Sequence, residues 1–148
     1  MKPSPDTIIA VFELRPFWGP ELQRQFGHSS IVIRECRAVN DLLPSTDGFE
    51  KALIVIDLDS AIENCIKWLG VDVKQHLHQW PIIACGSAAT ADFEWPLREA
   101  GVTAFLPEII SGDAFAKLCR RQLGANRREE SVQSLPAKRF QYEITQTK

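Results

Sequence analysis

No hydrophobic stretch of the chain approaches the roughly eighteen apolar residues of a membrane-spanning helix, so no such span is expected within it. The opening MKPSPDTIIAVFELRP has too short an apolar run and too many prolines for a signal peptide. Cysteines in C-x-x-C spacing are missing. Cys36, Cys65, Cys85 and Cys119 each lie in an apolar or periodic segment, the expectation for buried reduced thiols rather than a disulfide framework. There is no nucleophile elbow, P-loop or G-x-G-x-x-G, and GSAAT at 86–90 is too generic for phosphate recognition. Internal repeats and low-complexity runs are also lacking. These absences predict a cytoplasmic protein that does not enter a membrane and carries no signature of hydrolase or dinucleotide chemistry.

What is present is an ordinary globular composition: 148 residues, 45% hydrophobic and 24% charged. One domain of this length can build a core without disulfide or metal staples. The net charge of −2 is unevenly spread: residues 1–116 carry 9 Lys and Arg against 16 Asp and Glu, residues 117–148 carry 8 against 3. An acidic body therefore ends in a basic tail. No aromatic-basic RNA motif or recognition helix accompanies the tail, so it is expected to be a solvated terminus and nucleic acid is not the expected partner.

Three short Ile- and Val-rich runs, TIIAVF (7–12), ALIVID (52–57) and PIIACG (81–86), have the length and composition of buried parallel strands. SSIVIREC (29–36) alternates and TAFLPE (103–108) ends at Pro107, so both are expected nearer the sheet edges. Between them run helical patterns. Pro20 opens a brief helix ending at Gly27, and residues 40–43 supply at most one turn. Ile62, Cys65, Ile66 and Leu69 share a face after Ser60, a candidate cap, and the pattern resumes at Val73 and Leu77. A shorter helix interrupted by Pro96 spans 92–101. Ser111 caps a last one carrying Phe115, Leu118 and Cys119, with Gly124 at its end.

The alternation of strand and helix predicts an α/β three-layer sandwich of the flavodoxin-like kind, a five-stranded parallel sheet in the order 2-1-3-4-5. The domain is expected to span 1–124. Residues 125–148 would form a basic polar tail or linker, with a short strand at 138–145, where Phe140, Tyr142 and Ile144 alternate with polar residues.

In such sheets ligands bind beyond the carboxyl ends of the strands, which singles out Phe12 and Glu13, Asp57 and Asp59, Gly86 and Ser87, and Pro107 and Glu108. By position as well as order, residues 6–124 resemble the receiver domain of two-component response regulators. The resemblance implies an acidic pair after strand one, a phosphate-accepting aspartate ending strand three, a Ser or Thr ending strand four and a Lys-Pro after strand five. Here IIAVFE puts Phe12 and Glu13 at the acidic pair, IVIDLD puts Asp57 at the phosphoacceptor position, and PIIACGS puts Gly86 at the hydroxyl position with Ser87 one step later. In REAGVTAFLPEI, Glu108 stands where the lysine belongs, and Ala104 and Phe105 stand where the family's switch ring sits.

The resemblance thus implies a degenerate receiver: a non-enzymatic signalling module that works by contact with a protein partner or with a second copy of itself. Mg²⁺ is the one cofactor it allows, through Glu13 and Asp57. Its contact face would be the fourth helix, fifth strand and last helix, with Trp95, Arg98, Arg120 and Arg121. Two alternatives stay open: an active receiver phosphorylated on Asp57, and a ligand or flavin binder or small enzyme on the same frame. So do plainer roles. Asp57 and Asp59 can bind loop amides or cap the next helix, and Glu13 and Glu108 can be solvated loop residues. His28, His76 and His78 form no ligand set, and Trp18, Trp68, Trp80 and Trp95 share no periodic face.

Overall fold

The three Ile- and Val-rich runs become the three central strands of an all-parallel sheet. In the computed structural model, which describes residues 6–73 and 80–132 with side chains up to residue 124, the strands are β1 (Thr7–Phe12), β2 (Val32–Cys36), β3 (Lys51–Asp57), β4 (Ile82–Cys85) and β5 (Ala104–Leu106). Their order is β2-β1-β3-β4-β5, as the sequence predicts. The helices are α1 (Trp18–Phe26), α2 (Leu42–Ser45), α3 (Ile62–Trp68), α4 (Glu94–Glu99) and α5 (Gly112–Val132).

Side chains alternate across each strand, and the two sets build two separate cores. Ala10, Phe12, Ile54, Ile56 and Ala84 face α2, α3 and α4, where they meet Leu42, Cys65, Trp68 and Leu97. Ile9, Val11, Leu53, Val55 and Ile83 face α1 and α5, where they meet Trp18, Leu22, Phe115 and Cys119. Trp18 stacks on Phe115 with ring centroids 4.1 Å apart, which ties α1 to α5 directly. All four cysteines are free and buried, and burial pushes the Cys65 and Cys119 thiols up to about 12. Among the described residues no helix is long and apolar enough to cross a membrane.

Five sequence expectations need correction or restriction. Gly124 does not end the last helix: α5 continues to Val132, because a single glycine costs a helix only about 1 kcal/mol and the residues after it are good helix formers. Ser60 does not cap α3; Ala61 occupies that position without a side-chain hydrogen bond, and the Ser60 hydroxyl is engaged elsewhere. Beyond Leu69 the α3 pattern passes into one wide turn, Leu69–Val73, while Leu77, His76 and His78 lie outside the described residues. Pro96 falls in the first turn of α4, where its missing N–H is harmless, so it opens the helix instead of interrupting it. The tail strand expected at 138–145 also lies outside the described residues.

The register brings the strand ends level. Phe12 pairs with Cys36 and Ile56, Asp57 with Cys85, and Cys85 with Leu106. Glu13, Asp57, Gly86 and Pro107 consequently share one rim of the sheet.

Candidate functional site

Glu13 follows the last residue of β1 and is 1% exposed. A buried carboxylate needs partners, and it finds them in the first turn of α1. Its Oε2 accepts from the backbone N–H groups of Phe17 (3.0 Å) and Gly19 (2.8 Å), and its Oε1 from that of Trp18 (3.0 Å). Those are N–H groups that an α-helix cannot satisfy internally, and the positive end of the helix dipole lies at the same place. The side chain thus works as a cap supplied from outside the helix, and Phe17 at the N-cap position offers no side-chain bond of its own. Glu13 is no solvated loop residue. The Arg37 guanidinium, which donates to the Glu13 carbonyl (3.2 Å) and to Glu35 Oε1 (3.3 Å), pins the same turn to the end of β2.

Asp57, at the end of β3, accepts from the Ser60 hydroxyl at 2.7 Å, and Ser60 Oγ in turn accepts from the Leu14 N–H at 3.0 Å. This bridge joins the loops after β1 and β3. Burial pushes the Asp57 carboxyl above the usual range, and the nearby Asp59 and Glu13 charges push the same way, against the hydrogen bonds from Ser60 and the Asp59 N–H. Asp59 is exposed and accepts from the Ser87 hydroxyl at 3.2 Å.

Gly86 follows β4, and Thr90 explains why a glycine stands there. A Cβ on Gly86 would collide with the Thr90 side chain, which is 5% exposed. The Thr90 hydroxyl accepts from the Ser87 N–H (2.9 Å) and donates to the Ser87 carbonyl (3.0 Å), while Ser87 Oγ accepts from the Ala89 N–H (3.2 Å). Ser87 and Thr90 thus form a reciprocal cap on the turn Ala88–Phe93. Thr90 was missed by sequence reasoning, although S-x-x-T is the spacing of such a cap.

These groups line a cavity of about 480 Å³ that holds four carboxylates, Glu13, Asp57, Asp59 and Glu108, and one cation, Arg15. The structure therefore brings together Glu13, Asp57, Asp59, Gly86, Ser87 and Glu108. Phe12 instead turns into the core and lines a second cavity on the far side of β1. Glu108 is exposed. Phe105 is buried in the core.

The four residues assigned to a contact face divide. Trp95, 70% exposed, and Arg98, paired with Glu94 at 2.9 Å, lie on α4, and Arg98 reaches the Thr103 carbonyl just before β5 at 3.4 Å. On α5, Gln122 faces the same way, since it hydrogen-bonds Thr103 at 2.9 Å. Arg120 does not. It lies over the Phe26 ring of α1, 4.9 Å from the centroid, because two residues turn a helix by about 200°. Arg121 is exposed between these directions.

No protein-family model matches the sequence, and no curated protein matches it. Solved structures match the fold. FixJ from B. japonicum superposes with a TM-score of 0.66 at 15% identity, over 86% of this chain and 64% of its own. The receiver domain of a Francisella response regulator gives 0.65 at 16%, over 80% and 98%. The chemotaxis response regulator CheY4 of Vibrio cholerae gives 0.64 at 10%, over 79% and 98%. The chain thus spans a little less than two thirds of full-length FixJ and nearly all of the two shorter chains. Its fold is that of response-regulator receiver domains.

Proposed function

We propose that the chain is a receiver-fold signalling module of the cytoplasm that acts by protein contact, without catalysis and without a switch driven by phosphorylation of Asp57. The observation that carries this reading is the placement of Glu13. Both its carboxylate oxygens accept backbone N–H groups at the start of α1, so to ligate Mg²⁺ it would have to release the helix it caps. Phe12 supplies no second acid, and among the described residues no group of three or more His, Cys, Asp or Glu is arranged to hold a metal ion. The donor set does not suit a cation that needs near-octahedral oxygen ligands.

Two further features point the same way. An incoming phosphoryl group would meet Glu108 where the resemblance implies a lysine, in a cavity already holding three other carboxylates. Thr90, whose hydroxyl occupies the place a side chain on Gly86 would take, has both its donor and acceptor bonds closed on Ser87. It is not free to follow a change at Asp57.

The partner surface in this reading is the α4–β5–α5 face, with Trp95 as an apolar anchor and Arg98 and Arg121 as cations toward an acidic protein or a second copy of the chain. The decisive experiment is intact mass after incubation with acetyl phosphate and Mg²⁺. No added phosphoryl group is expected. An increment that disappears in Asp57→Asn would establish the active receiver instead.

A further inference from the structure

A second cavity, of about 490 Å³, opens at the same end of the sheet, between the loop after β2 and α3. It runs from Phe12 and Leu14, at the end of β1, along α3 to Val71 and Asp72. Its volume is that of a small-molecule site.

Its charge is opposite to that of the acidic cavity. Arg37 and Lys67 line it with Asp72, whereas the other cavity holds four carboxylates and one arginine. Arg37 is held in place by its bonds to the Glu13 carbonyl and to Glu35. Lys67 makes no ion pair among the described residues, and the side-chain amides of Asn40 and Asn64 make no hydrogen bond there. Each amide offers two donors and an acceptor oxygen. Leu14 and Val71, 49% and 45% exposed, leave apolar surface at the same opening, and the buried Trp68 also lines it. A smaller cavity of about 350 Å³ shares Asn40, Trp68 and Asp72 with it, so the two form one cleft.

An ammonium and a fixed guanidinium suit an anionic group, unpaired amides suit the polar edge of a heterocycle, and flanking aliphatic side chains suit its faces. We propose that this cleft binds a small anion carrying a flat heterocycle, with the chemistry of a mononucleotide: Lys67 and Arg37 hold the anionic end, Asn40 and Asn64 the ring edge, and Leu14 and Val71 the ring faces. The site is separate from Asp57 and stands whether or not that residue accepts phosphate.

The test is a titration of ¹⁵N-labelled full-length protein with adenosine 5′-monophosphate to about 1 mM, following the side-chain amide resonances of Asn40 and Asn64. Saturable shifts are expected at both, weakened about tenfold or more in Lys67→Glu and, read at the Asn40 amide, in Asn64→Asp. Inorganic phosphate, which lacks the ring, is expected to give no saturation over the same range. Both variants lie on the exposed side of α3, and unchanged backbone spectra verify their folding. Absence of saturable shifts, shifts confined to Asp59, Ser87 and Glu108, equal affinity for phosphate alone, or affinity unchanged in both variants would each overturn the proposal.

Discussion

A single buried carboxylate, Glu13, holds the amides of Phe17, Trp18 and Gly19 where α1 begins. Its removal leaves those N–H groups without partners, and Glu13→Ala should cost about 3 kcal/mol, the scale of hydrogen bonds to a charged group. The midpoint of urea unfolding should fall while its slope stays constant, and Glu13→Gln should lie between. Asp57 behaves in the opposite sense. Burial raises its pKa, so the folded chain binds this proton more tightly than the unfolded chain does. The resulting stability is full below the ordinary carboxylate range and lost as pH rises through the raised value. Asp57→Asn should therefore stabilise the protein at pH 7. Thermal melts should show the gain vanishing in acid. Gly86→Ala should destabilise by about 1–3 kcal/mol through overpacking against Thr90. Adding Thr90→Ala should recover part of that loss, a coupling that a double-mutant cycle measures.

At the scale of elements, α1 and α5 form one unit through the Trp18–Phe115 stack and the Arg120–Phe26 contact. Truncating Phe115, which is fully buried, should cost about 3–5 kcal/mol. Amide exchange should report the other end of the unit: the N–H groups of Phe17, Trp18 and Gly19 should be protected in the native chain and exchange early in Glu13→Ala, before those of β1 and β3. Fast exchange at these three in the native protein would contradict the capping role. The strands were legible in sequence because each is a short apolar run bounded by turn residues, and Ser111 was legible as a cap, since its hydroxyl accepts from the Ala114 N–H at 3.1 Å. Ser60 was misread because a serine before a helix has two uses, and the three-residue reach to Asp57 won over the local amides. The role of Glu13 was hidden for a related reason. Its partners are four to six residues on, and nothing in FELRPFWG says that the chain folds back over the carboxylate.

For the whole molecule, position along the sheet rim could be read and chemistry could not. The 2-1-3-4-5 order follows from the alternation of strand and helix and puts Glu13, Asp57, Gly86 and Glu108 around one cavity. Whether a carboxylate there is free or engaged depends on loop conformation, which periodicity does not encode. The assignment of Arg120 to the α4 side failed by the same limit, since a helix face is fixed by what it packs on. If association uses the α4–β5–α5 face, Arg98→Glu combined with Arg121→Glu should abolish it in sedimentation, while Arg120→Glu should leave it intact. Glu108→Lys alone should not make Asp57 accept phosphate, because the Glu13 carboxylate remains committed to α1; mass after acetyl phosphate tests this. The same commitment bears on engineering: any single change that frees Glu13 also unfastens α1, so a metal site designed at this carboxylate would need a replacement cap for the helix first.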